Sequence, residues 1–193
     1  MRRAEQRRST TETAVRVAID LDGTGKVGLR TGLPFLDHML TAFARHGRFD
    51  LEVEASGDLD VDAHHTVEDV GIVLGRALAR ALGEGRGIRR FASASVPMDE
   101  ALATVSLDCG GRPFLVFDVP FAAETVGGID TTLVEHFFES LCHQAGITAH
   151  VQAYGRNDHH RAEAVFKAFG VALRSAVAQE PGDESVPSTK GVF

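Results

Sequence analysis

Hydrophobic and polar residues alternate through Ala14-Val15-Arg16-Val17-Ala18-Ile19-Asp20-Leu21 and again through Leu51-Glu52-Val53-Glu54-Ala55. A period of two puts every second side chain on one face, so both segments read as half-buried strands. Asp22-Gly23 supplies a turn after the first. Elsewhere the period lengthens. Residues 35–46 and 64–82 carry apolar positions at helical spacing, and the second run stops at Gly83 and Gly85, as helices do. The same succession returns later, with helices predicted near 132–145 and 159–178, while residues 180–193, with two prolines and two serines, read as loop. Strands followed by helices, twice over, predict an α+β fold: two duplicated sheet-plus-helix halves with the helices packed on one side of the sheets.

The halves also correspond residue by residue. Asp37-His38-Met39-Leu40 matches Glu135-His136-Phe137-Phe138, and Gly57 matches Gly155, both at an offset of 98. At an offset of 95, His64-His65-Thr66-Val67-Glu68 matches His159-His160-Arg161-Ala162-Glu163, and Gly75 with Ala77-Leu78 matches Gly170 with Ala172-Leu173. A weaker match at 88 joins Glu12, Val17, Ile19 and Asp20 to Glu100, Val105, Leu107 and Asp108. The chain therefore reads as one domain of two internal repeats, roughly residues 1–90 and 91–180, followed by a tail of residues 181–193.

With 193 residues, 44% of them hydrophobic, the chain is long enough to bury a real core. Its net charge of −7 argues against a nucleic-acid partner held by a general positive field, so any bound anion must be met by a few local cations. Cys109 and Cys142 are the only cysteines and form no CxxC, which points away from a disulfide framework or thiolate metal site and toward a reducing cytoplasm. No run approaches the roughly 18 consecutive apolar residues of a membrane span, so no membrane partner is expected. The opening MRRAEQRRSTTET is Arg-rich, but it carries Glu5 and Glu12 and leads straight into the strand pattern; it reads as a mature start.

Six of the nine histidines, His38, His64, His65, His136, His159 and His160, fall on the repeat anchors. On a helix His64 and Glu68 share a face, as do His159 and Glu163, so each pair can reach one ion. The second histidine of each pair is turned about 100° from the first. Adjacent histidines therefore serve different ions, which can lie at different subunit contacts. Six imidazoles and two carboxylates divide by the internal symmetry into two sets of three His and one Glu, which implies two metal ions. Such ligands suit Mn2+, Fe2+ or Zn2+ alike. A lone histidine near a helix start is more often a surface or capping residue, and that reading fits His46, His143 and His150 taken singly. Duplication of the HHxxE motif in register sets the other six apart. Arg89-Arg90-Phe91, Asp108-Cys109-Gly110-Gly111-Arg112-Pro113 and Ser188-Thr189-Lys190-Gly191 each put a cation beside turn residues, where a phosphate can be met. An Arg in a Gly-rich turn is by itself most often solvated surface.

These motifs run in order along nearly the whole chain: GLPFLDHML (32–40), DAHHTVED (62–69), RRF (89–91), PMDEA (97–101), DCGGRP (108–113), VEHFFES (134–140), GRNDHHRAEAVFKAFG (155–170) and PSTKG (187–191). In them the sequence resembles the imidazoleglycerol-phosphate dehydratase family. The resemblance implies a ribosomal protein S5 domain 2-like fold and a cytoplasmic carbon–oxygen lyase of histidine biosynthesis. It also implies a homo-oligomer of 24 subunits, with two Mn2+ per active site bound at subunit contacts. It implies metal-ligand roles for His38, His64, His65, Glu68, His136, His159, His160 and Glu163. Substrate contacts are implied for Glu12, His38, His46, His64, Glu68, Arg90, Arg112, Ser188 and Lys190, with the cations and Ser188 on the phosphate and residues 181–193 as a substrate-binding tail. For acid–base work the order of preference is Glu163, then Glu12 and Glu68. One departure stands out: similar enzymes often have Asp-Gln after the DHML motif, where this chain has Thr41-Ala42.

The implied reaction removes water from D-erythro-imidazole-glycerol phosphate to give imidazole acetol phosphate. Two ions on the two ring nitrogens would acidify the ring N–H, and the imidazolate would push out the hydroxyl. A binuclear metallohydrolase would use the same ions to activate water, but its usual sites are richer in Asp. A metal-storage oligomer would leave Arg90, Arg112 and the Ser188-Thr189-Lys190 segment without a purpose.

Overall fold

The computed structural model describes residues 2–191 and 193. The first alternating segment forms β2 (Thr13–Asp20), which turns Thr13, Val15, Val17 and Ile19 into the core. It pairs antiparallel with β1 (Arg3–Ser9) and with β4 (Asp50–Gly57), and β3 (Val27–Arg30) joins β4 in parallel, giving the order β1-β2-β4-β3. The second half repeats this sheet with β5 (Phe91–Met98), β6 (Ala101–Asp108), β10 (Thr148–Tyr154) and β7 (Phe114–Asp118), in the order β5-β6-β10-β7 and with the same strand directions.

Helices α1 (Pro34–Gly47) and α2 (His64–Leu82) pack on the first sheet, and α3 (Thr132–Ala145) and α4 (Asp158–Ala176) on the second. They then pack across the halves, α1 on α4 and α2 on α3, so the helices form a shared inner layer with a sheet outside each pair. Two of the anchor glycines, Gly75 and Gly170, lie at these crossings. A Cβ at Gly75 would lie 2.5 Å from the carbonyl oxygen of Leu141 on α3, and one at Gly170 would be closer still to that of Phe43 on α1. Only a hydrogen side chain lets the two backbones approach this closely. Aromatic rings fill the space between, with Phe138 fully buried 4.7 Å from the ring of Phe166 and 4.8 Å from that of Phe169.

The second and third helices end where expected, and the other predicted elements differ by one or two residues. The last helix starts at Asp158 because the Asn157 side chain caps it, accepting from the N–H groups of His159 and His160. Between β7 and α3 the offset of the repeats grows from 88 to 98, and residues 119–131 there contain a short hairpin, β8 (Thr125–Val126) with β9 (Ile129–Asp130). No comparable insertion precedes α1, so internal symmetry could not foresee it. Among the described residues no helix is long and apolar enough to cross a membrane.

Candidate metal and phosphate site

Packing α1 against α4 brings His38 to His159 and Glu163. The Nε2 atoms of both histidines lie 3.3 Å from Glu163 Oε2, and the three residues offer ligand atoms within 4.8 Å of one another. Packing α2 against α3 builds the mirror cluster, His64, Glu68 and His136, with His136 Nε2 at 3.2 Å from Glu68 Oε1 and the two imidazole rings 4.8 Å apart. Each set thus joins ligands from both halves. Two imidazole nitrogens and a carboxylate oxygen at these spacings fit a divalent ion of the Mn2+, Fe2+ or Zn2+ type.

The other two histidines turn away, as their rotation along the helix requires. His65 Nδ1 donates to Asp58 at 3.0 Å, and His160 Nδ1 donates to Glu100 at 2.8 Å. These bonds raise both imidazoles above their ordinary range, and the His160 bond, helped by the Asn157 and Arg156 backbone N–H groups, holds Glu100 down to about 2. With the proton fixed on Nδ1, each ring presents Nε2 as its free donor atom, the usual arrangement of a carboxylate-backed metal histidine. Each cluster within the chain therefore holds two His and one Glu, and the third His of each expected set faces elsewhere.

Lys167 is a site residue that motif spacing missed. Its Nζ lies 2.7 Å from Glu163 Oε1, one helical turn away on the same face. Burial pushes the Glu163 carboxyl up, but the bond to Lys167, its charge and His38 outweigh burial and hold the group below its usual range. Burial and the Lys167 charge together lower His46, which ties that residue to the same end of the molecule. The repeat position of Lys167 is Ile72, so internal symmetry gave no hint of it. At the departure noted above, Ala42 is buried and the Thr41 hydroxyl donates to the Asp37 carbonyl.

The anion-binding candidates gather at another corner. Arg90 donates through Nε and Nη2 to Asp108 at 2.6 and 3.0 Å, and through Nη1 to the Pro187 carbonyl at 2.8 Å. This draws the segment holding Ser188 and Lys190 against the strand entrance. Phe193 packs over Gly111, next to Arg112, and its ring centroid is 5.4 Å from the Arg90 guanidinium. A side chain at Gly110 would collide with Arg90, its Cβ only 2.5 Å from Nη2, so glycine there keeps the guanidinium in place. If Arg90 holds a phosphate, Arg90→Ala raises KM roughly 10- to 100-fold, the size of one charge-assisted hydrogen bond, with a smaller effect on kcat. Steady-state kinetics of the variant checks this, and an unchanged KM removes Arg90 from the site.

A family model for imidazoleglycerol-phosphate dehydratase matches residues 31–173, the span that holds both clusters. The chain belongs to this family. It is 62% identical over 191 residues to the imidazoleglycerol-phosphate dehydratase of Methanoculleus marisnigri, covering 99% of both chains. Identity to the enzyme of that name from Acetivibrio thermocellus is 55% over 193 residues, covering 100% of this chain and 99% of the other. The crystal structure of the Staphylococcus aureus dehydratase superposes with a TM-score of 0.84 at 37% identity, covering 92% of this chain and 99% of that one. For the Pyrococcus furiosus structure the values are 0.83, 39%, 97% and 99%. As a member of the imidazoleglycerol-phosphate dehydratase family the chain is a hydro-lyase of histidine biosynthesis acting on a small phosphorylated molecule, on the α+β fold of its solved relatives.

Proposed function

We propose that this protein converts D-erythro-imidazole-glycerol phosphate to imidazole acetol phosphate and water, in the cytoplasm, with two Mn2+ per active site. The observation that carries the reading is the pair of mirrored clusters, His38-His159-Glu163 and His64-Glu68-His136, each assembled from both halves of the chain. Bound ions there would supply the acidification that holds the substrate ring as imidazolate.

The chain's own residues do the rest. His65 and His160 keep Nε2 free but face away from the clusters of their own chain. A second copy's His65 or His160 completes each ligand set, which makes assembly into a homo-oligomer of 24 subunits a condition of activity. Arg90, Arg112, Ser188 and Lys190 hold the phosphate, with residues 181–193 as a substrate-binding tail on a single domain of two repeats, 1–90 and 91–180. His46 borders the substrate, as His38, His64 and Glu68 do from the clusters.

For proton transfer the geometry favours Glu12 over Glu163 and Glu68. Glu163 has one oxygen on Lys167 and the other between two histidines, and Glu68 faces His136; both suit ligation. The Glu12 carboxylate accepts no hydrogen bond among the described residues and lies 3.9 Å from His65 Nε2. The decisive experiment strips the protein with a chelator, resupplies Mn2+, Fe2+ or Zn2+ and assays imidazole acetol phosphate. Product is expected with Mn2+ and none without metal; no product with any of the three overturns the reading.

A further inference from the structure

Gene duplication left two equivalent hairpin tips beside the HHxxE motifs, and they have diverged. The tip between β1 and β2 carries Glu12; the one between β5 and β6 carries Glu100, 88 residues later. Glu100 uses both its oxygens for structure. Its Oε1 accepts the N–H groups of Arg156 and Asn157 at 2.9 and 2.8 Å, and its Oε2 accepts from His160. Glu12 makes no such bonds, and Asp58 has taken its place on Nδ1 of His65.

The first tip is fixed by a different route. Thr13 and Asp69 are each only 4% exposed. The Thr13 hydroxyl donates to one oxygen of Asp69, and Arg8 Nε donates to the other at 2.7 Å. Above them the Thr10 hydroxyl accepts the N–H groups of Glu12 and Thr13 at 3.1 and 2.9 Å. At the repeat positions of Arg8, Thr10, Thr13 and Asp69 the second half has Val96, Met98, Ala101 and Ala164. Apolar residues therefore suffice to build this part of the fold. A buried carboxylate is costly to desolvate unless it is fully bonded, yet the polar network occurs only where the glutamate is left free.

We propose that Arg8, Thr13 and Asp69 are positioning residues that hold the first hairpin tip so that the unbonded Glu12 carboxylate faces the substrate ring. The proposal rests on Glu12 being the proton-transfer group. Proton transfer needs hydrogen-bond reach, and a displacement of about 1 Å can lower the rate about 100-fold. The network fixes the backbone of the tip and leaves the Glu12 carboxylate without a hydrogen bond, 3.9 Å from His65 Nε2.

The test is a double-mutant cycle between Thr13→Val, which keeps the shape and removes the hydroxyl, and Glu12→Gln. Thr13→Val is expected to lower kcat about tenfold with KM within about twofold. Thr13→Ser should restore most of kcat. On the Glu12→Gln background Thr13→Val should change kcat less than about twofold, because the group it positions is already gone. If Thr13→Val leaves kcat unchanged, or lowers it equally on both backgrounds, the positioning role is overturned while the reading of Glu12 stands. Should Glu12→Gln itself keep full activity, that reading falls and the positioning role with it. Asp69→Asn replaces Thr13→Val in the same cycle if the latter yields no folded protein, with the same outcomes expected.

Discussion

Replacing His38 by alanine is expected to remove one of the two proposed ions and to lower turnover about 1,000-fold. His38 is the only member of its cluster that comes from α1, so its loss leaves this chain with His159 and Glu163, one imidazole and one carboxylate, to hold the ion beside the histidine proposed from a second copy. A divalent ion stabilises developing charge by several kcal/mol, and each 1.36 kcal/mol is a factor of about ten in rate. His136→Ala does the same at the mirror cluster. His143, exposed on α3 and outside both clusters, serves as the control, and His143→Ala should keep both ions. Metal analysis with kcat on the same preparations decides the matter. Two tightly held ions in His38→Ala would show that the cluster is not an ion site.

The second large effect separates proton transfer from ligation. Glu12→Gln is expected to lower kcat about 100- to 10,000-fold, the range for losing a general acid–base group, while the bound metal stays unchanged, because Glu12 belongs to neither cluster. Glu163→Gln is expected to lose metal first, since its Oε2 lies between His38 and His159. Metal content and kcat measured together on both variants distinguish the roles. An active Glu12→Gln beside a metal-loaded, inactive Glu163→Gln would return the proton-transfer role to Glu163.

Periodicity carried the fold a long way. Alternation around Val15, Val17 and Ile19 and helical spacing through residues 64–82 reflect how strands and helices present their side chains, which is a local property. The duplicated HHxxE motif was legible for the same reason: four residues make about one helical turn, so the partnership of His64 with Glu68 needs no tertiary information. Gly75 and Gly170 were visible as matches, but their purpose was not, because it lies in how closely α2 approaches α3 and α1 approaches α4.

Other features were hidden where the repeats had ceased to be alike. Lys167 and Asp69 correspond to Ile72 and Ala164 across the duplication, and most of residues 119–131 has no counterpart in the short link before α1. A symmetry argument finds what both copies kept and overlooks what one copy changed.

By itself the sequence determined the four helices, the strands around Val17 and Val53, the repeat and the pairing of each first histidine with its glutamate, because all of these depend on spacing along one backbone; β1, β3 and β7 carried too little alternation to be read. Only the tertiary structure decided that His136 joins His64 and that His38 joins His159, while His65 and His160 turn toward Asp58 and Glu100. Those partnerships arise from helices of opposite halves crossing at glycine, and the distance between two helices is set by packing across the whole core.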